Sequence, residues 1–200
     1  MGAQNAFWEK DGSFTGEVSP AQLANERVDY CIVGHSERRS LGETDEQVNN
    51  KVKILLKMGI KPIICIGEKE RDKEGFYLSF IREQIKESLI GVKQKDLKNI
   101  IFAYEPIWAI GKKGDEAIVG EDLREMSLYI RKVLADMYSK KVAFNLDVLY
   151  RGSVDQFNAE SIFTEGDVQG FLVGRASLDP KSFLEIIEIV ISARWTRLKA

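Results

Sequence analysis

Residues 99–111 read NIIFAYEPIWAIG. Ile100, Ile101, Phe102, Ala103 and Tyr104 form a short apolar run without alternation, the pattern of a strand covered on both faces. The run ends on a lone carboxylate, Glu105. Pro106 follows at once and cannot donate to a strand ladder. Ile107, Trp108, Ala109 and Ile110 then form a greasy segment closed by Gly111. Surface connections are ordinarily polar, so a single charge at the exit of a buried strand, followed by an apolar loop, is no ordinary connection.

The same organisation repeats on either side. Strand-like runs at 29–34 (DYCIVG), 61–67 (KPIICIG), 99–104, 142–150 (VAFNLDVLY) and 168–174 (VQGFLVG) alternate with longer stretches of helical period. The helical stretches fall at 44–58, 75–91, 120–139, 156–163 and 180–193; in the first, Val48, Val52, Leu55, Leu56 and Met58 recur at helical spacing. Five such units behind an initial fragment predict an α/β fold with a parallel sheet buried by helices. Periodicity does not by itself choose between a doubly wound sheet and a closed barrel.

Composition bounds the function. At 200 residues the chain forms one well-buried domain, 1–200, and nothing in it forces a second. The 29 basic and 31 acidic residues nearly cancel, which gives no electrostatic argument for nucleic acid or an anionic membrane surface. No apolar run approaches the roughly 20 residues that span a bilayer, and the opening MGAQNAFWEKDG has neither the basic nor the apolar part of a secretory signal. Cys31 and Cys65 each lie inside an apolar run and read as reduced core residues of a cytoplasmic protein. One histidine in the whole chain argues against a histidine-built metal site, so metal and cofactor are both expected to be none.

The strand ends carry the decision. They run into GHSERR at 34–39, CIGEKE at 65–70, YEPIWAIG at 104–111, YRGSV at 150–154 and VGRASL at 173–178. In a (β/α)8 barrel, chemistry is assembled from the loops at the carboxyl ends of the strands. Together with the opening GAQNAFWEKDGSFTGEVSP, and in this order, these segments resemble triosephosphate isomerase over nearly the whole chain. The resemblance implies a TIM-barrel type fold, N-terminally truncated to about five complete βα units plus the end of strand 3. A complete barrel runs to about 250 residues.

What the resemblance implies for chemistry can be set beside the reaction. Moving a proton between two carbons of a triose phosphate needs a base, a group polarising the carbonyl oxygen, a phosphate anchor and a lid against water. Triosephosphate isomerase is itself the standard worked case of this acid–base tuning, so the roles below follow from the resemblance. Glu105 becomes the base and His35 the neutral electrophile. Glu37 either orients a polar network below the substrate or forms an ion pair with Arg38 or Arg39, two arginines read as structural. The segment from Pro106 and Trp108 becomes a mobile lid, with Gly111 offering an N–H to the phosphate and Lys112 and Lys113 solvated. Ser153, Gly174 and Arg175 complete the expected phosphate site. A phosphorylated triose is the expected substrate, and cytoplasmic glycolysis and gluconeogenesis the expected setting.

Two features depart from the family pattern. Its glycine-rich phosphate loops, YGGS and VGGA, read here Tyr150-Arg151-Gly152-Ser153 and Gly174-Arg175-Ala176. Arg175 either adds charge for an anion or points outward while its N–H still binds. Were the backbone at Arg151 in a positive-φ conformation, a side chain there would cost on the order of 1 kcal/mol or more. Asp147, read as a carboxylate inside an apolar strand, needs a partner, and Asp147, Arg151 and Arg175 are expected to pair near the site. The second departure is at the start: no residue matches the asparagine and substrate-binding lysine of the family's first loop. A partner chain supplying the missing units, copies of this chain meeting at open barrel edges, and a stable inactive scaffold are the three expected arrangements. The loop at 6–18, with Phe7, Trp8 and Phe14, is the expected homo-oligomer contact.

Overall fold

A computed structural model describes residues 1–112 and 118–199. Six strands, β1 (Gly2–Ala3), β2 (Tyr30–Val33), β3 (Lys61–Ile66), β4 (Ile101–Tyr104), β5 (Val148–Tyr150) and β6 (Gly170–Phe171), form one sheet. Each pairs in parallel with its neighbour in sequence, in the order β1-β2-β3-β4-β5-β6. A doubly wound sheet reverses its strand order at a switch point. This order never reverses, so the sheet is the wall of a curled half-barrel. Its two edges are β1 and β6.

Among the described residues, eight helices cross over between or beside the strands: α1 (Pro20–Asn25), α2 (Ser36–Ser40), α3 (Asp45–Lys57), α4 (Phe76–Ser88), α5 (Gly120–Met137), α6 (Lys140–Ala143), α7 (Ala159–Glu165) and α8 (Pro180–Lys199). Two of their starts are written locally. Ser19 and Thr44 each accept a hydrogen bond from the backbone N–H three residues on, and the Gln22 and Gln47 side-chain oxygens accept one from the cap's own N–H. Apolar faces of α3 (Val48, Val52, Leu55), α4 (Ile81, Ile85) and α5 (Leu123, Met126, Ile130, Leu134) bury against Cys31, Val33, Ile64, Ile66, Phe102 and Tyr104 of the sheet. Each such side chain contributes about 1.5–3 kcal/mol of transfer free energy. Both cysteines are free and buried, and burial pushes the Cys31 thiol up to about 12.

One predicted strand is corrected. Of 142–150, only Val148–Tyr150 pairs; Lys140–Ala143 is helical and Phe144 is exposed. A short apolar run cannot be assigned by periodicity alone, and here a tertiary contact decides. The Arg131 guanidinium donates to the carbonyls of Ala143 (3.2 Å) and Leu146 (2.8 Å), satisfying helix-end acceptors that a strand would have paired. Asp147 therefore lies before β5 and is exposed. In the loop at 6–18, Phe7 is buried within the chain against Trp8 and Phe14, while Phe14 stays exposed. No described helix is long and apolar enough to cross a membrane.

Candidate active site

The carboxyl ends of β2, β3 and β4 each deliver one nearly sealed glutamate. Glu43 pairs with Lys51, Glu68 with Arg71, and Glu105 lies beside His35. Two glycines make this crowding possible. Gly34, at φ 69°, turns β2 into α2, a conformation that disfavours side chains. A Cβ on Gly67 would fall 1.7 Å from the Glu105 carbonyl oxygen, so only glycine lets the β3 exit pass that close to the β4 exit.

His35 caps α2. Its Nδ1 accepts from the Glu37 N–H at 3.2 Å, so Nδ1 carries no proton and the neutral ring presents its hydrogen on Nε2. That Nε2 lies 3.6 Å from Glu105 Oε1. The Glu105 side chain is 2% exposed and both of its oxygens are engaged. Oε2 accepts from Ser36 N at 3.0 Å, and Oε1 accepts from Ser36 Oγ at 2.5 Å and meets Arg151 Nη1 at 3.1 Å. The two side chains that the sequence pairs across 70 positions thus meet.

His35 and Arg151 line a cavity of about 500 Å³ whose wall also includes Glu37, Arg38, Gly174 and Arg175. Glu105 lies behind it. The Glu37 side chain is 83% exposed, with Oε2 4.0 Å from His35 Nδ1. Its alternative ion pair with Arg39 is not formed, since Arg39 is bound to Asp45 at 2.6 Å and to the Gly34 carbonyl at 2.7 Å.

The expected phosphate residues also gather. Gly111, at φ 77°, donates its N–H to Ser153 Oγ at 2.9 Å, and a Cβ on it would lie 3.8 Å from Arg175 Nη2. Gly174 precedes the 3-10 turn Arg175–Leu178. The segment expected to be a lid begins with the 3-10 turn Ile107–Ala109, and Trp108 Nε1 donates to Glu68 at 2.7 Å. Lys113 and the far end of the lid lie outside the described residues.

Two expectations about the arginines are corrected. Arg151 is not at positive φ: among the described non-glycine residues only Arg27 and Asp167 are. Nor do Asp147, Arg151 and Arg175 pair. Asp147 is exposed at the opposite end of β5, and Arg151 turns to Glu105 instead.

Sequence reasoning missed Ser36, which donates twice to Glu105; serine at a helix start is too common a signal to single out. It also missed the buried pair of Lys51 and Glu43. Lys51 is 1% exposed and donates to Asn5 Oδ1 at 2.7 Å as well, while Glu43 accepts from Gly34 N at 2.9 Å. A signal existed: Lys51 sits on the apolar stripe between Val48 and Val52, where an unpaired ammonium would be untenable. Among the described residues no group of His, Cys, Asp and Glu is gathered for a metal ion.

Comparison with known proteins adds an independent finding. The family model described as triosephosphate isomerase matches residues 1–190. A triosephosphate isomerase of Natranaerobius thermophilus is 45% identical over 190 residues, spanning 94% of this chain and 73% of the relative. One from Dictyoglomus thermophilum is 41% identical over 190 residues, spanning 94% of this chain and 76% of the relative.

Proposed function

The chain belongs to the triosephosphate isomerase family, and on that premise we propose that it interconverts dihydroxyacetone phosphate and glyceraldehyde 3-phosphate through an enediolate. The observation that carries the reading is the approach of His35 Nε2 to Glu105 Oε1 at 3.6 Å beside a cavity of about 500 Å³. Glu105 takes the proton from the carbon next to the carbonyl. The Nε2–H of His35 donates to the carbonyl oxygen as negative charge develops there, stabilisation that counts most where water is excluded. The hydroxyl proton of the enediolate passes to the former carbonyl oxygen, and return of the carbon-derived proton to the neighbouring carbon completes the isomerisation, with no net redox change. Gly111, Ser153, Gly174 and Arg175 receive the phosphate. The apolar residues from Ile107 to Ile110 close over the bound substrate and shed water. The backbone N–H of Glu37, donating to His35 Nδ1, helps orient the ring.

Family membership also supports self-association through the loop at 6–18 and a cytoplasmic setting. A second reading, a non-catalytic module derived from the same barrel, draws on one observation: both oxygens of Glu105 already have partners. Turnover of glyceraldehyde 3-phosphate by the chain, lost on Glu105→Gln, supports the isomerase. A folded chain that binds phosphate and shows no turnover supports the module.

A further inference from the structure

Arg151 occupies a place that the sequence leaves unexplained. It lines the cavity and touches Glu105, which does not line it. Its side chain is 13% exposed and thus stands with His35 between the cavity and the buried carboxylate. Three nearby backbone donors are already spent. Arg151 N donates to the Tyr104 carbonyl at 2.8 Å, Val154 N to Gly152 O at 3.1 Å, and Gly111 N to Ser153 Oγ. An anion arriving here also meets the guanidinium of Arg151. The local backbone accepts that side chain without left-handed strain, whereas at the next position a Cβ on Gly152 would lie 2.0 Å from the Tyr150 hydroxyl. Arg38 and Arg175 line the same cavity against one acid, Glu37, and the Arg38 Nε has no hydrogen-bond partner among the described residues.

Building on the isomerase reading of this cavity, we propose that Arg151 is a further anion-binding residue in it, and that its guanidinium exchanges between Glu105 and an anionic oxygen of the ligand. Capture of the anion and exposure of the carboxylate are then one movement. Guanidinium suits the exchange because its planar donors match carboxylate and phosphate oxygens equally well. Ser36 donates to both Glu105 oxygens, so the carboxylate is not left without partners when Arg151 turns to the ligand.

The sole histidine provides a reporter inside the site: the ring protons of His35 can be followed by NMR during titration with inorganic phosphate. The wild-type chain shows a saturable shift. Arg151→Gly weakens phosphate binding by about tenfold or more, and Arg151→Lys falls between, because an ammonium keeps charge but not the fork. Glu105→Gln tightens binding by a larger factor when Arg151 is present than in the Arg151→Gly background, the coupling that a shared guanidinium requires. Phosphate binding unchanged by both Arg151 variants, or equal tightening in the two backgrounds, overturns the proposal. Triose turnover is measured separately: coupling without turnover removes the isomerase reading and leaves the exchange standing, whereas turnover without coupling removes the exchange alone.

Discussion

Glu68 and Glu105 stand at the ends of adjacent strands, are 1% and 2% exposed, and each touches an arginine. Their surroundings differ. Glu68 Oε1 accepts from the Tyr104 phenol (2.8 Å) and the Trp108 indole (2.7 Å), and Arg71 at 3.3 Å sits over the rings of Tyr77 and Trp108. Burial, and then the charge of Glu68, hold the Tyr104 phenol well above its usual pKa, so it remains a donor throughout the ordinary pH range. None of these groups lines the cavity. Glu105 is held by Ser36, Arg151 and His35, and the last two do. Burial beside a cation therefore does not mark a base. What separates the two carboxylates, on the proposed reading, is whether their partners can be exchanged for a ligand: Glu68 ties the segment at Trp108 to the barrel, and Glu105 is the one we propose reacts.

The largest expected effect tests that division directly. Glu105→Gln keeps the shape and removes the basic oxygen, and turnover of glyceraldehyde 3-phosphate falls by about 10³-fold with the unfolding midpoint nearly unchanged. A loss below tenfold would place the base elsewhere. Next comes the third sealed carboxylate, Glu43, which the comparison classes with Glu68 as structural. Lys51→Met leaves Glu43 buried without its cation and lowers stability by about 3–5 kcal/mol, read by urea denaturation. A change under about 1 kcal/mol would show that Asn5 and Gly34 suffice for these groups. Smaller again, Tyr104→Phe deletes one of three donors to Glu68. About 1 kcal/mol of stability is lost, and turnover changes by less than tenfold. A turnover loss as deep as that of Glu105→Gln would erase the distinction between the two glutamates.

Much of this was legible before any coordinates. Strands at 29–34 and 61–67 and helices at 44–58 and 120–139 lie within a few residues of their observed bounds, because buried strands lack alternation and the helices repeat their apolar residues at 3.6. Helices α1 and α2 were not foreseen; at six and five residues they are too short for periodicity to reveal. The meeting of His35 with Glu105 was legible through motif order. The partners of Glu105 were not, since Ser36 and Arg151 reach it from opposite sides of the chain order and only the curl of the sheet joins them. The segment 142–147 was misread for a related reason: the long-range hydrogen bonds of Arg131 settle it, and local sequence holds no trace of them.

Asp147 turns that misreading into the smallest prediction. Inside a strand its carboxylate would need a partner, and neutralising it would disturb the core. In the structure the residue is exposed, and its backbone carbonyl, not its side chain, accepts from Phe102 N at 3.1 Å. What remains is a weak influence on Arg131, which is 3% exposed and whose pKa burial lowers, with the charges of Asp167 and then Asp147 acting against that shift. Asp147→Asn removes the weaker of these two supports and leaves every Arg131 hydrogen bond in place, including that to Gln169 Oε1 at 2.6 Å. The expected loss is under about 0.5 kcal/mol at low ionic strength and fades as salt is added, as for any charge acting through solvent. A loss above about 2 kcal/mol that persists in salt would instead mean a carboxylate sealed like Glu43 and Glu68, and would return 142–150 to the sheet.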